Sequence, residues 1–208
     1  MQESDRNFRE SEVAAGLNSI PHLDPSAILV AEFEYIAQTA FQANEDRSRV
    51  STLYLATAGS LIAAVLAVQL ERLNQIPTFW AFSSLFFVLS ISSLLAILQL
   101  VQLRKAWFES VCAMNRIKEY FALHSGKIGL SSAFLWNKLS LPQKNKRGSI
   151  AFILVLQVAV LGGICLGATV FFIGLIITGN QYWWTMSSIC GLIYGFLLIV
   201  VYDKAVVM

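Results

Sequence analysis

Apolar residues fall into four long runs, broken by short polar turns and one broad basic stretch. The first run opens amphipathic. From Ser26 onward Leu29, Phe33, Ile36, Ala40 and Ala43 recur at steps of four, three, four and three, the seam of one helix packing on another. Glu32, Glu34, Gln38, Gln42, Glu45 and Asp46 occupy the other faces. At Val50 the character changes. Residues 50–70 carry no charge, and about twenty such residues cross a hydrocarbon core of roughly 30 Å. Glu71 and Arg72 end this first predicted span, and the chain turns around Asn74 to Pro77.

The second span is predicted over 79–103, with Phe79 and Trp80 at its start, where aromatic rings favour the headgroup level. The helix does not have to stop at Arg104 and Lys105. Trp107, Val111, Met114, Ile117 and Phe121 continue an apolar stripe, and Gly126 is the first good stop signal. Residues 26–124 therefore read as one antiparallel hairpin. Its spans lie in lipid, and 26–49 with 104–124 form a cytoplasmic coiled-coil stalk. At about 1.5 Å per residue that stalk reaches roughly 37 Å beyond the membrane.

Residues 125–148 form a basic connection without an acidic side chain. Phe134, Leu135 and Trp136 suit a short helix lying at the membrane surface. Trp136, Lys138, Lys144, Lys146 and Arg147 are the predicted contacts with anionic lipid. A second hairpin spans 149–208, with spans over about 149–177 and 182–202 and an aromatic cluster, Tyr182, Trp183 and Trp184, at the turn. Gly163 and Gly167, and Gly191 and Gly195, are spaced as GxxxG, which lets helix backbones approach closely. That spacing serves packing within one chain or between subunits. The expected fold is all-α, a polytopic membrane protein of four transmembrane helices. Residues 1–25 read as a mobile polar tail without a signal-peptide pattern.

Composition fits this picture. Hydrophobic residues make up 56% of the chain and charged residues 13%, about half the usual charged share. A net charge of +2 gives no reason to invoke nucleic acid. The placement of charge is more informative. Of the 15 Lys and Arg residues, only Arg72 falls on the far side of a four-span arrangement. The positive-inside rule then puts both termini, the stalk and the basic connection in the cytoplasm of a cell (inner) membrane protein.

Charge also suggests a register for the hairpin. Folded so that facing positions sum to 150, Lys105 lies level with Glu45, Arg104 with Asp46, Arg116 with Glu34 and Lys118 with Glu32. A sum of 151 instead sets Arg47 level with Arg104, and like charges repel. Equal height is not contact, however, because helix rotation decides which side chains meet.

Candidate chemistry is sparse. No Asp, Glu, Lys, Arg or His lies within the predicted spans, whereas ion-coupled transport and voltage sensing rely on such groups. Cys112, Cys165 and Cys190 lack zinc or disulfide spacing and read as small hydrophobes. No phosphate-binding loop, nucleophile elbow or metalloprotease motif occurs. No catalytic residue, cofactor or metal is expected. Gln99, Gln102, Gln157 and the serines of the second span are expected to hydrogen-bond between helices in a dry bundle.

The expected function is that of a non-enzymatic scaffold or accessory subunit of a membrane complex. Its stalk would dock a partner or a second copy of the chain. The alternative is an oligomeric pore or membrane-perturbing effector. In layout alone, residues 26–124 resemble the bacterial two-span immune effectors of the SLATT kind, and that resemblance carries over no residue or activity.

Overall fold

The computed structural model describes residues 24–67, 75–124, 148–178 and 182–207. These form four α-helices: α1 (Pro25–Ala67), α2 (Gln75–His124), α3 (Ile150–Thr178) and α4 (Trp183–Val207), and there is no strand among the described residues. The polar tail, the basic connection with Trp136, Lys138, Lys144, Lys146 and Arg147, and the last residues of the first predicted span lie outside the described residues.

Among the described residues three helical stretches, Ile76–His124, Ile150–Thr178 and Trp183–Val207, are long and apolar enough to cross a membrane, as about twenty apolar residues suffice. The described part of the chain divides into two units, 24–35 and 36–207. In the first, Asp24 starts α1. Its carboxylate accepts from the Ser26 amide at 2.9 Å and the Ser26 hydroxyl at 2.7 Å, satisfying one of the orphan donors at a helix start. These bonds hold the Asp24 carboxyl below its usual pKa, because they favour the charged form.

In the second unit α3 is the central helix. It packs extensively on both α2 and α4, and those two touch each other far less. The core gathers Phe86, Ile97 and Leu100 of α2, Val155, Val158 and Phe172 of α3, and Leu198 and Tyr202 of α4. The Phe172 ring sits among Phe79, Phe82 and Phe86 of α2, with centroids at 5.9, 5.6 and 6.1 Å, within the range that favours aromatic pairs. The part of α1 in this unit buries one stripe: Ala40, Ala43, Arg47, Ser51, Tyr54 and Ala58. Those steps of three and four are the seam periodicity again. Tyr54 ties the stripe to α2 by donating to the Leu89 carbonyl at 3.4 Å.

Two boundaries differ from the sequence reading. Gln75, Ile76 and Pro77 of the predicted turn belong to α2, which begins at Gln75. Pro77 sits in its first turn, where the missing N–H costs nothing. Helix α4 runs past Asp203 and Lys204 to Val207, since charged residues by themselves do not break a helix. At the start of α3, Gly148 has φ +95°, a left-handed conformation that glycine adopts freely. Ser149 follows as the cap, accepting from the Phe152 amide through its carbonyl at 2.9 Å.

Candidate functional site

The glycines mark the closest helix contact. Each glycine of the two GxxxG pairs faces the other helix of the same chain. A methyl group at Gly163 would lie 2.6 Å from the Gly191 carbonyl oxygen, one at Gly167 3.0 Å from that of Ser187, and one at Gly195 3.2 Å from that of Ala159. The GxxxG faces of α3 and α4 are therefore used within one chain. Trp183 packs over Gly174, where a methyl group would collide with the indole, and donates from Nε1 to Thr178 Oγ1 at 2.8 Å. Tyr182 and Trp184 remain exposed.

The serines of α2 divide by face. Ser83, Ser90 and Ser93 are buried. Ser83 donates to the Thr169 carbonyl of α3 at 3.5 Å. Tyr194 of α4 donates to the Ser90 carbonyl at 2.6 Å, and its oxygen lies 3.4 Å from Ser93 Oγ. These groups have partners within the bundle, as hydrogen-bonded side chains between membrane helices do. The amides depart from expectation. Gln99, Gln102 and Gln157 are all exposed on the outer surface of α2 and α3. Helix rotation turns them away from the core, which Ile97, Leu100 and Val158 fill.

The seam residues all avoid full exposure. Ala40, Ala43 and Val111 are buried, and Leu29, Phe33, Ile36, Trp107, Met114, Ile117 and Phe121 are partly buried. The register charges fall differently. Glu32, Glu34, Glu45 and Arg116 are exposed, Asp46, Lys105 and Lys118 are intermediate, and Arg104 is buried. Glu45 and Asp46 pair with Arg49 of their own helix, at 3.6 and 4.0 Å. These contacts set no register between helices.

The concentration of unusual polar burial is at one end of the second unit. Arg47 of α1 and Arg104 of α2 are each only 6% exposed. The Arg104 guanidinium lies over the Trp107 ring, 4.6 Å from its centroid, a cation–π geometry. Arg47 donates to Asn44 Oδ1 at 2.6 Å, and its Nε is buried without a partner. Burial pulls the Arg47 guanidinium below its ordinary pKa, and the charge of Arg104 adds to that shift. The like-charge approach that charge matching argued against is thus present, because Arg47 and Arg104 both turn inward while Asp46 turns to Arg49. Tyr202 of α4 lies in the field of both. About two and three turns beyond Arg104, Ser110 and Asn115 of α2 are also buried, and Asn115 Nδ2 lacks a partner.

The sequence reading missed Arg47 and Tyr202. The signal for Arg47 was available: the seam through Ala40 and Ala43 lands on it four residues later. Nothing in the sequence pointed to Tyr202. Among the described residues no group of His, Cys, Asp and Glu side chains is placed to hold a metal ion. Compared with family models, curated proteins and solved structures, the chain finds no match.

Proposed function

We propose that this chain is a non-enzymatic, four-span protein of the cell membrane that serves as a scaffold or accessory subunit of a larger membrane assembly. In this reading residues 50–70 supply the first span, both termini face the cytoplasm, and 26–49 pairs with 104–124 as the docking stalk. The exposed amides carry the proposal. Gln99, Gln102 and Gln157 sit on outward faces of otherwise apolar helices. A carboxamide facing hydrocarbon leaves its donors and acceptors unmet, so these positions suit a neighbouring helix that hydrogen-bonds them. Ser83, Ser93 and Tyr194 are already engaged inside the bundle, whereas the outer amides face a neighbour.

The same amides favour a second reading. Several copies arranged around an axis would turn Gln99 and Gln102 toward a shared aqueous lumen and form a pore. Mass measurement of the native assembly in mild detergent, together with ion flux in vesicles, separates the two. Co-purification with a larger complex, lost when Phe33 or Trp107 is replaced by glutamate, supports the scaffold. Ion leakage that disappears in Gln99→Leu supports the pore. A lone, non-conducting monomer overturns both.

A further inference from the structure

A groove of about 580 Å³ runs over the exposed face shared by α1 and α2, a volume within the range of ligand sites. Its ends differ in chemistry. Asp46 and Arg49 of α1 and Gln102 of α2 stand at one end, and Leu53, Leu95 and Leu98 line the rest. Asp46 and Leu53 are about two turns apart on α1, as are Gln102 and Leu95 on α2, roughly 10 Å along each helix. The three leucines are exposed. So are Gln99 and Gln102, whose carboxamides border the same groove.

The charge at the polar end is mixed. Arg49 meets Glu45 at 3.6 Å and Asp46 at 4.0 Å. These are long contacts between exposed side chains, and such pairs contribute little. They exchange readily for a ligand that offers both signs. One cation stands beside two carboxylates, so an anion alone meets net repulsion there. A group that carries phosphate and ammonium together matches the whole set. The depth agrees. Arg49 directly precedes Val50, where the charge-free run of α1 begins, and Leu103 closes that of α2. In the four-span reading this is the headgroup level, with the leucines toward the hydrocarbon.

We propose that this groove holds one molecule of phosphatidylethanolamine. Its phosphate takes the Arg49 guanidinium, which fits phosphate oxygens in a planar fork. Its ammonium donates to Asp46, with Glu45 beside it. The ester carbonyls accept from the Gln99 and Gln102 amides, and an acyl chain lies along Leu98, Leu95 and Leu53. Each carboxamide has two N–H donors and an acceptor oxygen, so one bond to the lipid leaves others for a neighbouring helix. The site rests on the four-span reading and not on the scaffold role.

The test is native mass spectrometry of the full chain in mild detergent with phosphatidylethanolamine, phosphatidylcholine or phosphatidylglycerol of identical acyl chains. Phosphatidylethanolamine is expected to bind about tenfold more tightly than the other two, since choline has no N–H to donate and glycerol has no positive charge. Arg49→Gln is expected to lower its binding about tenfold, the loss typical of a charged hydrogen-bond partner. Asp46→Asn is expected to erase the preference over phosphatidylcholine. Leu95→Trp fills the apolar end and is expected to weaken all three lipids. Ile177→Trp, exposed on α3 and outside the groove, is expected to change none of them. Arg49 and Leu95 are exposed, so their substitution leaves the core intact, and Leu98→Trp replaces Leu95→Trp if that variant does not fold. Equal binding of the three lipids, a preference for phosphatidylglycerol, or binding unchanged in Arg49→Gln or in the groove-filling variant overturns the proposal. Labelling of Glu71→Cys, in a chain with Cys112→Ala, from the two sides of sealed vesicles tests the four-span reading separately. Partner co-purification tests the scaffold alone.

Discussion

Gly163 and Gly191 hold the backbones of α3 and α4 against each other: a methyl group on either would come within 2.6 Å of the other's carbonyl oxygen. Carbonyls in a helix are fixed by their own hydrogen bonds, so neither backbone can yield without moving the whole helix. Gly163→Ala is expected to destabilise the bundle by about 1–3 kcal/mol, the range for overpacking a tight contact. Gly59→Ala is the control. Nothing lies within 4 Å of its added methyl group, and in a helix interior the change stabilises by roughly 0.5–1 kcal/mol. Reversible unfolding in mixed micelles measures both. Equal effects of the two would contradict the contact.

Tyr194→Phe removes the hydroxyl that donates to the Ser90 carbonyl at 2.6 Å and leaves the ring in place. Hydrogen bonds between membrane helices average about 0.6 kcal/mol, with a maximum near 1.7. The expected loss falls within that range in the same unfolding assay. A loss above 3 kcal/mol would mean that the tyrosine also holds something else.

Gln157 tests the outward amides without disturbing the core. Because it is exposed on α3, Gln157→Leu is expected to leave monomer stability within about 0.5 kcal/mol of the parent, as surface substitutions do. Recovery of the larger assembly is expected to fall at the same time. Unchanged assembly in the double variant Gln99→Leu, Gln157→Leu would remove the amides from the interface.

Asp24 gives the start of α1 a pH dependence. Its folded pKa is lowered by the bonds to Ser26, so the cap's contribution is fully present above the unfolded carboxylate pKa of about 3.9. It is lost as pH falls through the lower folded value. Hydrogen exchange at the Ile28 amide, which bonds to the Asp24 carbonyl at 3.2 Å, is expected to lose protection over that window. Asp24→Ala is expected to show the loss at neutral pH as well.

Much of the helical framework was legible in the sequence. Pro25 as a start and His124 as an end emerge from proline, glycine and apolar periodicity alone, and α1 and α2 occupy those limits. The burial of Ala40, Ala43 and Val111 was legible too, since a stripe at steps of three and four selects one helix face whatever it packs against. The fate of the polar side chains was not. Gln99 and Ser93 read alike as polar residues in an apolar run, but Ser93 is buried beside Gly162 and Tyr194, and Gln99 is exposed. Charge matching also failed to anticipate that Asp46 would turn to Arg49 while Arg47 turned inward. Side chains one residue apart on a helix point about 100° apart, so a small rotation exchanges which of them meets the neighbouring helix.

The sequence by itself determined four long helical runs, because length, hydropathy and breakers act locally along the chain; among the described residues three helices are apolar enough to cross a membrane. Only the tertiary structure decided that the two glycine pairs meet inside one chain, that the amides face outward, and that Arg47 and Arg104 are buried together. Those outcomes depend on the rotation and spacing of whole helices. Rotation and spacing are set by the sum of many weak packing contacts, which no local run of residues encodes.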